Sequence, residues 1–553
     1  MLSVFFFSLI TNFIYYCAGY STQSYNIKNN EADSVIKSLI IGAILLSLAA
    51  LLLNFFFPLN KLVNSITYIL IILFYFSINK FKLNKKAFEI ILYTSILTSA
   101  LLIYSNINRP DAGLYHLPYI SILNSEKIIL GLSNLHFRFG HISIMQYLSA
   151  LNNNFLFGDI GILIPLASLA SFMIIYFHYE IIKFYKSKIE INENYFFCFF
   201  TIIYIFFKIN RYSEFGNDAI AHLGYFYLIS CFLKLNLKKI NYFHFNHIFL
   251  ISIFIFMNKN TMIFSFLLPL ILFFFINDKT QVFKKILFSL TFFILLLWIL
   301  KNSLTTSCLI YPLNETCFNS LWSNQILTNN VSLQSEAWSK GWSNNKLPIS
   351  QNEFIENFNW LNTWINTHGK IFLSKVLTYI FISIFFLIFF LGKKNNNFKY
   401  DKIKIFVCFF VCIIGTFFFL IKFPIYRYGF SFLISLIILI FLILLKNYIN
   451  AKKIKKISKY LIIISFLVLS TKQLTRFYFK FDGFEQSKVL PNLYKLGDEN
   501  INYEKKLLSD NFFYFIADRE CLYANPPCTN IGVKDIGLIK KYNYIIIHPL
   551  TKN

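Results

Sequence analysis

Residues Leu39–Phe57 read LIIGAILLSLAALLLNFFF, an apolar run of 19 residues that is interrupted by just two polar side chains, Ser47 and Asn54. A helix needs about 20 predominantly apolar residues to cross the hydrocarbon core of a bilayer. Runs of similar length recur along the chain, for example at Leu62–Ile78 and Ile371–Leu391. Because the apolar residues are continuous and do not alternate with polar ones, the runs predict membrane helices and not the strands of a β-barrel.

The composition of the whole chain agrees with this interpretation. Of its 553 residues, 56% are hydrophobic and only 14% are charged. A soluble protein of this size could not bury so much apolar surface, so we expect lipid to cover much of it. The net charge of +26 would suggest a nucleic-acid partner for a soluble protein. Here the positive charge lies mainly in short loops between apolar runs, as in the positive-inside rule, and we expect no nucleic-acid partner.

Lysine-rich loops predict the topology and the domain organisation. Six short loops with net positive charge are expected on the cytoplasmic side, at residues 80–86, 183–194, 234–247, 278–285, 393–404 and 446–459. The large loops 106–159 and 302–368 are then outside. The sequence predicts an all-α polytopic membrane bundle of about 13–14 helices, with short amphipathic helices in the first outer loop. Accessory spans (1–86) precede a membrane domain (87–473), and a small α/β outer domain (474–553) follows it.

Two pairs of cysteines support the predicted sidedness. Cys308 and Cys317 fall in the second outer loop, and Cys521 and Cys528 fall in the outer tail. Cysteines so close together in an oxidising compartment are expected to form disulfides. The other five lie in or at the ends of apolar runs, where they are expected to be small core residues: Cys17, Cys198, Cys231, Cys408 and Cys412.

Arginine is rare and is restricted to one side of the predicted bundle. All six arginines fall on the outer side: Arg109, Arg138, Arg211, Arg427, Arg476 and Arg519. The positive-inside rule alone would favour the opposite side. Because a guanidinium offers phosphate or carboxylate a planar bidentate fork, the pattern predicts an oxyanion site on the outer face. For any one arginine, a structural ion pair is the alternative.

The stretch NRPDAGLYHLPY (108–119) opens the first outer loop and gathers Arg109, Asp111 and His116 directly after an apolar run. Apolar residues at helical spacing in 114–120 and 142–151 predict short amphipathic helices along the membrane surface. Such helices would hold Asp111 at the mouth of the bundle.

A second constellation lies in FKINRYSEFGNDAIAHLGYF (207–226). Arg211, Glu214, Asp218 and His222 follow one another at intervals of three or four residues, so a helix would place them on one stripe. Asp218 and His222 enter an apolar run, where ionisable groups are costly and usually mark a functional site. An internal salt bridge between helices is the alternative.

Two further cations interrupt apolar runs at their outer ends. Lys259 lies in the break NKN, and Arg427 lies between Tyr426 and Tyr428 at the start of a late span. These cations and the acids described above are expected to converge on one membrane face. A site of this kind can hold an anionic head group and use a carboxylate as a base. A lipid-linked phosphate is the natural ligand.

These motifs resemble those of the GT-C superfamily of polytopic glycosyltransferases. PDAGLYHLP (110–118) looks like the acidic motif of that superfamily's first large outer loop, although it has one aspartate where many members have paired acids. FIFMNKNTMIFSFLLPL (254–270) is similar to the lysine-bearing broken span, and PIYRYGFSF (424–432) is similar to the arginine-tyrosine segment late in the bundle. The resemblance covers most of residues 87–473.

The resemblance implies that a sugar is transferred from a polyprenyl-phosphate donor to a lipid, glycan or protein acceptor on the outer face, in a bacterial inner membrane facing the periplasm. Asp111 would be the general base. The implied roles of the other residues are catalytic for His116 and Asp218, phosphate-binding for Arg109, Arg211, Lys259 and Arg427, and supporting for Glu214, His222 and Tyr426. The resemblance admits a reaction with or without a divalent cation. The alternatives are a polysaccharide polymerase or ligase and a transporter of lipid-linked saccharides.

Overall fold

The structure is a computed structural model. It describes residues 2–23, 32–79, 85–104, 111–186, 191–208, 218–287, 289–346, 348–392, 400–449, 503–509, 512–523, 526–533 and 535–550, together with scattered positions between 454 and 471.

The protein is mostly helical. The α-helices are α1 (Leu2–Gln23), α2 (Ala32–Phe56), α3 (Lys61–Asn79), α4 (Lys85–Tyr104), α5 (Leu117–Ser125), α6 (Ile144–Leu151), α7 (Ile164–Lys186), α8 (Glu193–Lys208), α9 (Asp218–Lys234), α10 (Tyr242–Asn258), α11 (Leu267–Phe274), α12 (Lys279–Leu287), α13 (Leu290–Thr306), α14 (Gln325–Ser339), α15 (Gln351–Ile355), α16 (Leu361–Trp364), α17 (Lys370–Phe390), α18 (Lys402–Lys422) and α19 (Tyr426–Leu445). A π-helical turn, Ala112–His116, leads into α5, and a 3₁₀ segment, Asn260–Phe266, leads into α11.

Many of these helices have the length and composition of membrane spans. Within the described residues, seven helices are long and apolar enough to cross a membrane, or up to eight if the bent pair α12 and α13 is one span. Three shorter apolar helices accompany them, at Glu193–Phe207, Tyr242–Asn258 and Asn260–Phe274. These features are compatible with a multi-pass membrane protein, as the composition predicts.

The first two helices pack with unusually close backbones. A Cβ atom on Gly19 would lie 1.9 Å from the carbonyl oxygen of Ser38, and one on Gly42 would lie 1.7 Å from that of Tyr15. Only glycine at both positions therefore permits this approach, which is typical of helix pairs in lipid. Polar contacts add to the packing, since Asn12 Nδ2 donates to Ser95 Oγ of α4 at 3.1 Å.

Helices form at both predicted places in the first outer loop, as α5 and α6. All eight residues of α6 are buried, including its polar residue Gln146. The sequence predicts an amphipathic helix with one polar face towards water, and the structure instead encloses α6 in protein. Its N-terminus has a capping box, in which Ser143 and Gln146 bond reciprocally.

The C-terminal residues form two small sheets. One has the order β1 (Tyr503–Ser509), β2 (Phe512–Ala517) and β3 (Cys528–Thr529), and the other pairs β4 (Ile536–Lys541) with β5 (Tyr544–Pro549). The predicted small α/β domain is thus represented by strands, and no α-helix occurs in the described part of 503–550. Both expected disulfides, Cys308–Cys317 and Cys521–Cys528, are present, and the other five cysteines are buried.

The C-terminal strands dock on the first outer loop. The Leu130 N–H donates to the Ile545 carbonyl oxygen, and the Ile547 N–H donates to the Leu130 carbonyl oxygen, each at 2.9 Å. We call the end of the bundle that carries this loop and these strands the outer end. The opposite, inner end has a buried ion-pair network in which Lys234 Nζ lies 2.7 Å from Glu180 Oε1 and 3.3 Å from Asp33 Oδ1. Helix ends that the lysine pattern assigns to one side therefore lie together.

Candidate functional site

The site at the outer end is built around Asp111, which immediately precedes the π-helical turn Ala112–His116. Its Oδ2 lies 3.5 Å from Nη1 of Arg427, a residue of the first turn of α19. The Asp111 side chain is 40% exposed and that of Arg427 is 31% exposed. Both charged groups are therefore open on one side, although they come from distant parts of the chain.

The backbone of Arg427 is held by two side chains from other helices. The carbonyl oxygen of Arg427 accepts a hydrogen bond from His222 Nε2 at 2.8 Å and another from Lys259 Nζ at 2.8 Å. Since a carbonyl can only accept, Nε2 of His222 carries a proton, and its Nδ1 faces Ser431 Oγ at 2.8 Å. His222 and Lys259 thus fix the start of α19 and, with it, the guanidinium of Arg427.

Asp218 and Lys259 form an ion pair through Oδ1 and Nζ. Asp218 opens α9, where the positive end of the helix dipole favours an acid. Lys259 lies in the extended break after α10 and is 7% exposed, with its ammonium 4.6 Å from the centre of the Tyr428 ring. The internal salt bridge that the sequence left as an alternative is therefore realised, and Lys259 is occupied within the protein.

His116 lies beside these charges and is buried. Burial lowers the pKa of its imidazole to about 4, against the opposing effect of Asp111 and Asp218. Its Nδ1 is 2.9 Å from Gln146 Nε2, and its ring lies 4.3 Å from that of Tyr115. His116 is therefore neutral at neutral pH.

Arg138 belongs to the same cluster, although the sequence identified it only as one of six outer arginines. Its guanidinium lies 5.0 Å from the centre of the Tyr115 ring and 5.3 Å from that of Phe137. Among the described residues, no carboxylate lies within ion-pair distance of it. Nε of Arg427 is also buried without a hydrogen-bond partner in that part of the chain. Both guanidinium groups thus have donors without a protein partner among the described residues, and the one-sided distribution of arginine was the signal that pointed to both.

The structure brings six of the predicted site residues together: Asp111, His116, Asp218, His222, Lys259 and Arg427. Tyr426 shares a helical turn with Arg427, but its hydroxyl bonds to Tyr204 of α8 at 2.9 Å, so it contributes to helix packing. Arg109, Arg211 and Glu214 lie outside the described residues. No group of three His, Cys, Asp or Glu side chains suited to a metal ion occurs among the residues that are described.

The C-terminal strand region adjoins the turn that carries Asp111. The Leu522 N–H donates to the Gly113 carbonyl oxygen at 2.9 Å, and a Cβ atom on Gly113 would lie 2.2 Å from Glu520 Oε2. Tyr523 bonds to Asn153 Nδ2 at 2.7 Å. This region therefore forms one wall beside the cluster.

A family model described as a domain of unknown function (DUF8201) matches residues 1–434. The match includes all the described cluster residues, ends within α19 and does not reach the C-terminal strands. No curated protein and no solved structure matches the chain.

Proposed function

The chain belongs to the DUF8201 family, and for this member we propose the function of an integral membrane glycosyltransferase. In this proposal the protein moves a sugar from a polyprenyl-phosphate donor to a lipid, glycan or protein acceptor. The proposal includes a GT-C-like arrangement of about 13–14 membrane helices. It places the protein in a bacterial inner membrane with the outer end in the periplasm.

One observation carries the proposal. An open carboxylate, Asp111, lies beside Arg427 at one end of an apolar bundle, with Arg138 and the Asp218–Lys259 pair close by. Around His116 the described acids are Asp111 and Asp218, and the cations are Lys259, Arg427 and Arg138. Asp218 pairs with Lys259 and Asp111 with Arg427, which leaves Arg138 without an acid partner among the described residues. An excess of guanidinium charge favours a bound oxyanion, and an exposed carboxylate beside it is suited to accept a proton.

The chemistry follows from these positions. The acceptor hydroxyl oxygen bonds to the anomeric carbon of the donor sugar, and the Asp111 carboxylate takes the hydroxyl proton. The bond between the anomeric carbon and the phosphate oxygen breaks, and the lipid phosphate leaves with the electron pair. Arg427 and Arg138 stabilise the charge that grows on that oxygen. Lys259 and His222 support the site by holding the backbone of Arg427, and Asp218 pairs with Lys259. Arg109 and Arg211 remain predicted phosphate ligands.

The test is transfer by the purified full-length chain in lipid nanodiscs, with radiolabelled polyprenyl-phosphate sugars and lipid acceptors. We expect Asp111→Asn to lower the transfer rate by about 10²- to 10⁴-fold, the usual contribution of a general base. The matched control is Asp159→Asn, since Asp159 lies in the same outer region but forms a surface pair with Lys61 at 3.7 Å. Parallel reactions with a chelator decide between transfer with and without a divalent cation.

Three results would contradict the proposal. Equal transfer by the wild type and Asp111→Asn would remove Asp111 as the base. Movement of intact labelled lipid across sealed vesicles without any transfer would identify a transporter instead. Products that lengthen with time on a lipid-linked glycan would identify the polymerase alternative.

A further inference from the structure

The orientation of one buried amide is determined by its neighbours. Gln146 Oε1 accepts hydrogen bonds from the Ser143 N–H at 3.1 Å and from the Ser143 hydroxyl at 2.7 Å. The Ser143 hydroxyl in turn accepts from the Met145 N–H at 3.2 Å, so its proton is free to point at Gln146. If the amide were flipped, its NH₂ group would face the Ser143 N–H, and two donors cannot form a hydrogen bond. The capping box therefore places the oxygen of Gln146 towards Ser143 and its nitrogen towards His116.

The amide orientation decides which ring nitrogen of His116 carries the proton. Gln146 Nε2 lies 2.9 Å from His116 Nδ1. An amide NH₂ only donates, so Nδ1 must accept and cannot carry a proton. The neutral imidazole then has its proton on Nε2. In the described part of the chain, Nε2 has no hydrogen-bond partner of its own.

The charged groups that face His116 are two acids and two arginines. Asp111 and Asp218 favour the imidazolium, whereas Arg138 and Arg427 oppose it, and the ring of Tyr115 covers one side. Both His116 and Gln146 are buried, at 5% and 1% exposure. A proton added to Nδ1 would point at the NH₂ group of Gln146, so geometry and burial both exclude the charged form at neutral pH.

We propose that Gln146 is a positioning residue that fixes His116 as the neutral, Nε2-protonated tautomer. His116 then offers the site an N–H donor for an oxygen of the ligand and does not act as a second base. Asp111 is left as the most exposed carboxylate of the cluster. The tautomer of His116 does not depend on the proposed function. The assignment of Asp111 as the sole base does rest on the proposed function.

The tautomer can be measured directly by ¹⁵N NMR of the full-length chain, labelled at its nine histidines, in nanodiscs. A spectrum of His116→Asn identifies the signals of His116. We expect a protonated Nε2 and an unprotonated Nδ1 at pH 7, unchanged at pH 5. His548 provides the opposite reference in the same spectrum, because its Nδ1 donates to the Pro549 carbonyl oxygen at 3.0 Å. A wild-type His116 with a proton on Nδ1 at pH 7 overturns the proposal.

The role of Gln146 is tested with Gln146→Glu. A carboxylate at this position accepts from Nδ1, so we expect the proton to move from Nε2 to Nδ1 and His116 to begin titrating between pH 5 and 8. The matched control is Gln325→Glu on the exposed N-terminus of α14, which should leave the His116 signals unchanged. An unchanged His116 tautomer in folded Gln146→Glu overturns the role of Gln146.

A kinetic measurement separates this inference from the proposed function. If transfer activity is found, its pH profile should lack a His116 step in the wild type and gain one between pH 5 and 8 in Gln146→Glu. If no transfer is found, the NMR result still decides the tautomer, and only the assignment of Asp111 as the base fails.

Discussion

The two ends of the bundle each gather acids and cations, but they arrange them differently. At the inner end, Lys234 contacts both Glu180 and Asp33, and Lys37 contacts Asp33 at 2.9 Å. The second oxygen of Glu180 accepts from Asn194 Nδ2 at 3.0 Å, and the Glu180 side chain is only 2% exposed. Two acids and two lysines thus close a balanced network in which both acids are largely buried.

At the outer end the charges are open and unbalanced. Asp111 and Arg427 remain 40% and 31% exposed at a separation of 3.5 Å, and Arg138 has no acid partner among the described residues. The cations that keep free donors are arginines, whereas the inner network uses lysines. A cluster of charges within a membrane protein therefore indicates a site only when some of its hydrogen-bonding groups remain available to a ligand.

The largest effect on stability is expected at the inner end. Glu180→Gln removes one partner of a partly buried pair, but Asp33 still faces Lys234. The variant should therefore lower the free energy of unfolding by about 3 kcal/mol, the lower end of the range for a broken buried pair. Asp111→Asn, in an exposed pair, should change it by less than about 1 kcal/mol. Unfolding of both variants in detergent, followed by intrinsic fluorescence, checks the difference. Equal losses would show that the two ends do not differ in this way.

The next effect concerns activity and should appear at the outer end alone. Arg427→Gln should lower kcat/KM for sugar transfer about 100-fold, equivalent to about 2.7 kcal/mol, because it removes charge from the departing phosphate. Arg427→Lys should retain only part of the rate, since ammonium lacks the bidentate fork. If Arg427→Gln transferred sugar as fast as the wild type, the open guanidinium would have no role in the reaction.

Acid should weaken the outer loop. Burial lowers the pKa of three histidines in this loop, to about 4 for His116, about 4 for His136 and about 3 for His141. The hydrogen bond with Asn530 raises the pKa of His136 but only partly offsets the effect of burial. Below about pH 6.5 the unfolded chain binds more protons than the folded one. The free energy of unfolding therefore falls as the pH drops from about 6.5 towards about 4. The loss is up to about 1.4 kcal/mol for each histidine and each pH unit. Hydrogen exchange at pH 7 and pH 5 should show faster opening of residues 111–151 at the lower pH. Equal protection at both pH values would contradict this.

The most local effect is expected where the C-terminal strands meet the Asp111 turn. A methyl group on Gly113 would lie 2.7 Å from Leu522 Cδ2 and 2.9 Å from Glu520 Cβ. Gly113→Ala should therefore loosen this contact, at a cost of about 1–3 kcal/mol, and speed proteolysis between the bundle and the strands. Gly532→Ala is the matched control, because a Cβ atom there meets nothing within 4 Å. Identical cleavage rates would show that the strands do not depend on this contact.

Much of the helical framework could be predicted because apolar length is a local property. The apolar run Leu62–Ile78 is α3 (Lys61–Asn79), and the run Ile371–Leu391 is α17 (Lys370–Phe390). The two disulfides could likewise be predicted from the short spacing of their cysteines. In contrast, the complete burial of α6 depends on what packs around it. Its residue pattern alone therefore predicted a helix at the membrane surface.

The site was predicted only in part, for a related reason. The spacing of Asp218 and His222 placed them on one helix stripe, but nothing local revealed that Asp218 would pair with Lys259 or that His222 would hold the Arg427 carbonyl. Arg138 was marked by its residue type and its side, and its place beside Tyr115 became visible only in three dimensions.

The order of residues is enough to predict a mostly helical chain with several long apolar helices, because the hydrophobic length of a segment depends on consecutive residues. It also shows which residue types could form an oxyanion site. Which acids are neutralised and which stay open depends on the three-dimensional packing. Partners such as Asp111 and Arg427 are far apart along the chain, and helix packing alone brings their charges within reach of each other.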